Sequence, residues 1–142
     1  MKKGFTIIEL ILVMALFLII GTLSTAFYSR LYTQSTVTSV TDQLTQSFRK
    51  AQSYAMNSKQ NGNWGVHNGT SQMTLFQGNT YAGRNAVFDE SFSVNGNITV
   101  TGFTDLIFSR LTGTPSATVI ITIKGNDNTK IMIINNQGIV SR

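Results

Sequence analysis

The sequence predicts an α+β fold, in which one long N-terminal helix precedes a head of antiparallel β-strands. Three observations support this prediction. Residues 5–28 are almost entirely apolar. Residues 30–60 continue with apolar side chains every three or four positions, which is the spacing of an amphipathic helix. After Gln60 the pattern changes to short apolar runs separated by Gly and Asn, which is typical of strands joined by turns.

Length and composition limit the kinds of protein that this chain can be. Its 142 residues are enough for one domain and too few for two of ordinary size. Charged residues make up 12% of the chain, about half the share found in a typical soluble protein. This composition favours a domain outside the cytoplasm over a cytosolic enzyme. Cysteine is absent from the sequence, which excludes disulfides, thiolate zinc sites and cysteine nucleophiles.

The positive charge is spread along the chain. The net charge is +5, and two of the eleven basic residues are Lys2 and Lys3. Without them nine basic residues face six acidic ones, which leaves +3. Arg49-Lys50 is the one basic pair in the rest of the sequence. A solvated surface is therefore a simpler interpretation of this charge than a nucleic-acid interface.

The first half of the predicted helix has the length and the apolarity of a membrane span. It carries no charge over the twenty residues from Leu10 to Ser29. At about 1.5 Å per residue, such a helix crosses a hydrocarbon core of roughly 30 Å. Lys2 and Lys3 precede this segment and favour a cytoplasmic N-terminus. The sequence therefore predicts one span, with most of the chain outside the cytoplasm.

The helix is predicted to continue well beyond this span. A single helix from about Phe5 to about Lys59 would be roughly 80 Å long, which is too long for a compact domain of this size. Its first half is therefore expected in a membrane or an assembly, and its second half on the head. Gly21 is the weakest point, so both a local unwinding there and a continuous helix are compatible with the sequence.

Three interpretations of the apolar segment compete, and Glu9 separates them. The segment could be a signal peptide cleaved near Ser24-Thr25-Ala26, an uncleaved anchor, or a segment kept after cleavage in front of it. A carboxylate in an apolar span costs roughly 2.5 kcal/mol or more on insertion into lipid. Neither a signal peptide nor a plain anchor needs such a residue. Glu9 therefore favours the third interpretation.

The run Lys3-Gly4-Phe5-Thr6-Ile7-Ile8-Glu9-Leu10 resembles the class III leader of type IV pilins and type II secretion pseudopilins. The resemblance implies the pilin fold, cleavage by a prepilin peptidase between Gly4 and Phe5, and N-methylation of Phe5. It further implies inner-membrane insertion, contact with an assembly platform there, and incorporation into a filament of pilin subunits. The domains would then be a leader, an apolar transmembrane and assembly helix, its amphipathic continuation and a β-rich head, at residues 1–4, 5–29, 30–60 and 61–142.

The same resemblance assigns a charge pair to the start of the mature chain. Cleavage would create a cationic amine on Phe5, four residues before the carboxylate of Glu9. In the family, this glutamate neutralises the terminal amine of a neighbouring subunit. Because an unpaired charge in apolar surroundings is heavily penalised, the pair would act to select the register of assembly.

The remainder of the chain predicts short strands and one long loop. The strands expected are 64–67, 73–76, 92–94, 98–100, 106–108, 117–124, 130–135 and a last one after Gly138. Gln77 to Asp89 is expected as a loop, with Tyr81 and Phe88 packed back on the head. Three segments resemble H-type minor pseudopilins and competence minor pilins, namely 49–56, 108–115 and 131–140.

Side chains that could carry chemistry are few. His67 is the only histidine and is expected to be a surface or partly packed residue at a strand end. Asp89-Glu90 are adjacent in sequence, so on a strand their side chains would point to opposite faces. Asn126-Asp127-Asn128 is explained by a hairpin turn without a metal. The sequence thus predicts no catalytic residue, no cofactor and no metal ligand.

DNA binding is the second function that we considered. Competence minor pilins carry a Gly-Arg-x-Arg element near the C-terminus that contacts DNA, whereas here Gly138 is followed by Ile139. Lys124, Lys130 and Arg142 could still gather on one sheet edge and hold phosphates without sequence preference. The sequence therefore favours a structural minor pilin or pseudopilin, with a DNA-binding minor pilin as the alternative. A membrane-anchored hydrolase that depends on His67 is the third and weakest hypothesis.

Overall fold

The computed structural model describes residues 4–126 and 128–141, with the backbone alone at 23–27 and 29–31. Over this part of the chain it contains one α-helix and two four-stranded antiparallel sheets. The helix is α1, Ile7–Met56. The strands are β1 Trp64–Asn68, β2 Gln72–Gln77, β3 Glu90–Ser93, β4 Thr99–Thr101, β5 Asp105–Phe108, β6 Val119–Lys124, β7 Thr129–Ile134 and β8 Val140–Ser141. Short 3-10 turns lie at Lys59–Asn61 and Ala86–Phe88.

The predicted long helix is confirmed, with both ends a few residues further in than expected. It begins at Ile7 because Thr6 is in an extended conformation and caps the first turn. It ends at Met56, and beyond this point Ser58 has φ of 52°, in the left-handed region. The backbone is helical through Gly21, so the continuous form is the one present in this chain.

The second half of α1 carries the core of the molecule. Its buried side chains recur at spacings of three and four, as the sequence predicts, and they are Val37, Val40, Leu44, Phe48, Ala51 and Ala55. Phe48 is fully buried and meets the ring of Phe103 edge-on, at 5.4 Å between centroids. These side chains of α1 therefore fill the space between the helix and the inner faces of both sheets.

The predicted head divides into two sheets. The first has the strand order β3-β2-β1-β5, and the second has the order β4-β6-β7-β8. Each strand pairs antiparallel with its neighbours. Alternate residues face the helix, so that Ile121 and Ile123 of β6 lie opposite Met132 and Lys130 of β7 on the inner face.

The outer faces of the two sheets are covered differently. On the first sheet, the loop after β2 folds back and places Tyr81 against His67 and against the fully buried Phe76. The predicted packing of Phe88 is also confirmed, because its ring lies 6.4 Å from that of Trp64. On the second sheet, Ile120 and Ile131 remain 61% and 54% exposed on the outer face. The head therefore has one covered sheet and one bare sheet.

Candidate functional site at the start of the helix

The peptide bond between Gly4 and Phe5 lies in an open, non-helical stretch before α1. Phe5 is 86% exposed. A Cβ atom built on Gly4 would meet no atom within 4 Å. Both residues that the sequence predicts for peptidase cleavage therefore lie in backbone that an enzyme can reach without unfolding a helix.

Thr6 and Glu9 form a capping box at the first turn of α1. Glu9 Oε2 accepts hydrogen bonds from the backbone nitrogen of Thr6 and from its Oγ1, both at 3.1 Å. In return, the backbone nitrogen of Glu9 donates to Thr6 Oγ1 at 3.4 Å. The two side chains thus satisfy backbone donors that the first turn of any helix leaves without partners.

This arrangement orients the carboxylate that the sequence singles out for assembly. Oε2 takes both bonds from Thr6, and Oε1 takes part in neither of them. The negative charge also lies at the positive end of the helix dipole. Thr6 is not among the predicted site residues, although threonine three residues before glutamate is the sequence signature of a capping box.

The first helical turns after Glu9 expose apolar side chains on every side of the helix. The side chains that are at least half exposed include Leu10, Ile11, Leu12, Met14, Leu16, Phe17, Leu18, Ile19 and Ile20. An apolar surface of this extent is rare on a protein that stays monomeric in water. The described part of the chain includes no helix that combines the length and the apolarity needed to cross a membrane.

Lys124 and Lys130, two of the three basic residues considered for DNA, lie on different faces of the second sheet. Lys130 pairs with the inward-facing Ile123, and its amino group donates to Thr38 Oγ1 of the helix at 3.0 Å. Lys124 pairs with Thr129 and is exposed on the outer face. Arg142 lies outside the described residues. The structure therefore does not bring Lys124 and Lys130 together on one surface.

His67 takes part in packing, and the two acidic residues Asp89 and Glu90 form ion pairs. His67 Nδ1 lies 2.6 Å from Asp105 Oδ1, and the imidazole stacks on the ring of Tyr81 at 3.6 Å between centroids. Asp89 accepts a hydrogen bond from Arg84 Nε at 2.7 Å, which raises the pKa of the Arg84 guanidinium. Glu90 is paired with Lys50. The predicted partly packed histidine is confirmed, and the two carboxylates of Asp89 and Glu90 face different cations.

The hairpin turn between β6 and β7 is closed by a hydrogen bond from Gly125 N to Asn128 O, at 2.8 Å. Asp127 lies outside the described residues. Among the described residues, no group of three His, Asp or Glu side chains is placed to hold a metal ion.

Two comparisons with known proteins found a match, one by sequence motif and one by fold. Residues 1–25 match the family described as the prokaryotic N-terminal methylation motif. The fold is similar to that of the minor pseudopilin EpsH from the type 2 secretion system of Vibrio cholerae, with a TM-score of 0.54 and 13% sequence identity. That match covers 77% of this chain and 94% of the EpsH chain. No curated protein sequence matches this chain significantly.

Proposed function

We propose that this chain, a type IV pilin-like protein by its N-terminal methylation motif and its pseudopilin fold, is a minor subunit of a type II secretion pseudopilus or a type IV pilus. Its role is structural, and the residues proposed for processing and assembly lie at the start of α1. A prepilin peptidase removes residues 1–4, and the new amine of Phe5 becomes methylated. The subunit then enters a filament through its N-terminal helix.

The observation that carries this proposal is the apolar surface of α1 in front of the head. Leu12, Phe17 and Leu18 are 65%, 70% and 71% exposed in the isolated chain. Each buried side chain of this size gains about 1.5–3 kcal/mol on leaving water, so the surface requires an apolar partner. We propose that lipid of the inner membrane is the first partner. The matching helices of neighbouring subunits, assembled at a platform in that membrane, are the second.

We propose that Glu9 selects the position that the subunit takes relative to its neighbours in the filament. Its carboxylate is costly in lipid or in a packed helix bundle unless an opposite charge meets it. The cleaved amine of Phe5 in a neighbouring subunit supplies that charge. The capping box supports this role, because Thr6 holds the carboxylate at the helix start while Oε1 takes no bond from it.

The N-terminus of the mature protein tests the proposal. The full-length chain should be expressed in a host that has a prepilin peptidase and then purified from membranes, and its N-terminal peptide should be analysed by mass spectrometry. We expect a peptide that starts at Phe5 and carries one methyl group on its amine. An N-terminus at Met1, or one created by cleavage after Ala26, would contradict the proposal.

A further inference from the structure

Two features of asparagine that favour a reaction with its own backbone coincide at one position of the head. Asparagine is followed by glycine at Asn61, Asn68 and Asn95. In the described part of the chain, a side-chain oxygen accepts a hydrogen bond from the backbone nitrogen two residues later at Asn85, Asn95 and Asn135. Of the asparagines in that part, Asn95 alone has both features.

The turn that begins at Asn95 holds two atoms together that can react with each other. Asn95 Oδ1 accepts from Asn97 N at 3.2 Å, and Asn95 O accepts from Ile98 N at 2.8 Å. The first of these bonds closes a ring of atoms that contains both Asn95 Cγ and Gly96 N. The side-chain carbon and the next backbone nitrogen are therefore constrained within the same turn.

The nitrogen of Gly96 is free to act as a nucleophile. Asn95, Gly96 and Asn97 are all exposed, and a Cβ atom at Gly96 would meet no atom within 4 Å. Gly96 N donates to no acceptor within the described residues. Water can therefore remove its proton, and no side chain of residue 96 hinders its approach to Asn95 Cγ.

The reaction that this geometry permits is deamidation through a cyclic imide. Gly96 N gives its proton to hydroxide and forms a bond to Asn95 Cγ. The bond from Cγ to Nδ2 then breaks, and Nδ2 takes a proton from water and leaves as ammonia. In the intermediate the negative charge is on Oδ1, which the N–H of Asn97 stabilises. Water next adds to either carbonyl of the imide and opens it to an aspartyl or an isoaspartyl residue.

The same atoms are occupied at Asn68. Its Nδ2, which would have to leave, donates to Val100 O at 3.0 Å and to Phe103 O at 3.1 Å. The nitrogen of Gly69, which would have to attack, donates to Gln72 O at 3.0 Å. Asn68 is therefore protected by the fold, although its sequence is as reactive as that of Asn95.

Asn61 lacks the turn that assists Asn95. None of the hydrogen bonds among the described residues reaches its side-chain oxygen, so nothing there stabilises the charge of the intermediate. The side-chain amide of Gln77 also occupies the space beside Gly62 that a Cβ atom would need. We expect Asn61 to react more slowly than Asn95 for both reasons.

We propose that Asn95 is a site of deamidation in the folded protein, with Gly96 N as the nucleophile. The turn joins β3 of the first sheet to β4 of the second, and its neighbours Val94 and Ile98 are 8% and 6% exposed. The product adds a carboxylate to this junction. In its isoaspartyl form it also adds one atom to the backbone between the two buried residues. The modification is independent of Glu9 and of the N-terminal helix.

The test follows the full-length chain in detergent micelles and in denaturant, both at mildly alkaline pH. Trypsin releases residues 60–84 and 85–110 as two peptides, and fragmentation in the mass spectrometer locates each converted asparagine. In the folded chain we expect aspartyl and isoaspartyl products at Asn95. Conversion of Asn68 should be slower by about tenfold or more, because its hydrogen bonds must first break. In denaturant, Asn61, Asn68 and Asn95 should convert at similar rates.

Two variants separate the two features. Gly96→Ala keeps the turn and hinders the nitrogen, so conversion of Asn95 should become slower by about tenfold or more. Ala86→Gly places a glycine after Asn85, whose oxygen already accepts from Val87 N at 3.2 Å, and should make Asn85 reactive. Circular dichroism checks that each variant is folded. If either is not, the comparison of Asn95 with Asn68 in the original chain still decides.

Three results would overturn the proposal. The first is conversion of Asn68 as fast as that of Asn95 in the folded chain. The second is conversion of Asn95 in denaturant but not in micelles, which would show that the turn protects it. The third is an aspartyl product without any isoaspartyl product, which would indicate direct hydrolysis by water instead of attack by Gly96 N.

Discussion

The side-chain amide nitrogen of Gln52 occupies the space beside Gly138 that a Cβ atom at position 138 would need. The same nitrogen donates hydrogen bonds to Gly113 O at 3.1 Å and to Gln137 O at 2.8 Å. Gly113 follows β5 in the first sheet, and Gln137 precedes β8 in the second. One side chain of α1 thus connects loops from both sheets, and Gly138 makes that connection possible.

Replacing Gly138 with alanine is expected to destabilise the head. Gly138 has φ of 78°, and its new Cβ would collide with the amide of Gln52. Left-handed strain and the loss of this packing together predict a cost of about 1–3 kcal/mol in the free energy of unfolding. The measurement is chemical denaturation of the full-length protein in detergent, followed by circular dichroism.

Gly96→Ala is the matched control for this variant. A Cβ at Gly96 would meet no atom within 4 Å, and its φ is outside the left-handed region. We expect a change of less than about 0.5 kcal/mol, as for most surface substitutions. Equal losses in the two variants would show that contact with Gln52 is not what requires glycine at position 138.

Tyr81 is expected to hold the loop that covers the first sheet. His67 stacks on its ring at 3.6 Å and 6°, and the guanidinium carbon of Arg84 lies 3.8 Å from the same ring centroid. Both distances fit only if His67 and Arg84 lie on opposite faces of the ring. Tyr81→Ala should therefore free the loop and cost about 1–2 kcal/mol, while Tyr81→Phe keeps the ring and should cost less than half as much.

Limited proteolysis checks this prediction at the loop itself. Cleavage between Gln77 and Asp89 should become faster in Tyr81→Ala and stay close to the original rate in Tyr81→Phe. If both variants are cleaved at the original rate, the stacked ring is not what holds the loop on the sheet.

The Lys50–Glu90 pair gives a prediction about pH. The hydrogen bond that Lys50 donates to the carboxylate of Glu90 is the main cause that raises the pKa of Lys50 above its ordinary value of 10.5. Since the folded state holds this proton more tightly, the stabilisation is complete below the unfolded pKa and is lost as pH rises through the folded pKa. Both side chains are more than two-fifths exposed, so the contribution is at most about 0.5 kcal/mol.

An NMR titration of the Lys50 side chain measures this effect directly. The pKa should lie above 10.5 in the original protein and should fall towards it in Glu90→Gln. A Lys50 pKa that does not change in Glu90→Gln would contradict the assigned cause.

Removal of residues 1–4 should depend on Gly4, because the peptidase must approach the peptide bond between Gly4 and Phe5 closely. Gly4→Val places a branched side chain at the scissile bond and should prevent cleavage. Gly21→Ala is a suitable control, since Gly21 lies in the same N-terminal segment and a Cβ there meets no atom within 4 Å. Intact mass measurement should show residues 1–4 retained in Gly4→Val alone, and a mature chain starting at Phe5 in that variant would count against the proposed cleavage.

Glu9→Leu is expected to leave membrane insertion intact and to reduce incorporation into filaments. The substitution removes the carboxylate and also breaks the capping box with Thr6. Thr6→Ala separates these effects, because it removes the capping hydroxyl and keeps the charge, at a cost of about 1 kcal/mol to the helix end. Subunit content of sheared filaments is the measurement. Normal incorporation of Glu9→Leu, or an equal loss in both variants, would refute the role assigned to the charge.

Local pattern was sufficient for much of the fold. The periodicity of Val37, Val40 and Leu44 predicts the buried stripe of α1, since a helix repeats every 3.6 residues whatever it packs against. The turn at Asn68-Gly69 predicts the β1–β2 hairpin for a similar reason. The capping partner of Glu9 was predictable too, because Thr6 is only three residues away.

The exact register of the second sheet was not predicted from these patterns. The alternative of DNA binding would need Lys124 and Lys130 on one edge, and they lie on opposite faces because their strands pair Lys124 with Thr129 and Ile123 with Lys130. The same register leaves Ile131 bare on the outer face. In a hairpin the register follows from the length of the turn, so a turn one residue longer or shorter would move Lys130 and Ile131 to the opposite faces.

The sequence by itself determined the N-terminal motif, the long helix and the α+β order of elements, because each depends on residues that are close together along the chain. Tertiary structure alone decided that the head forms two sheets, that the loop carrying Tyr81 covers one of them, and that Gln52 connects both. These features join residues that are far apart in sequence, such as Gln52 and Gln137, and arise only when the strands have taken their neighbours.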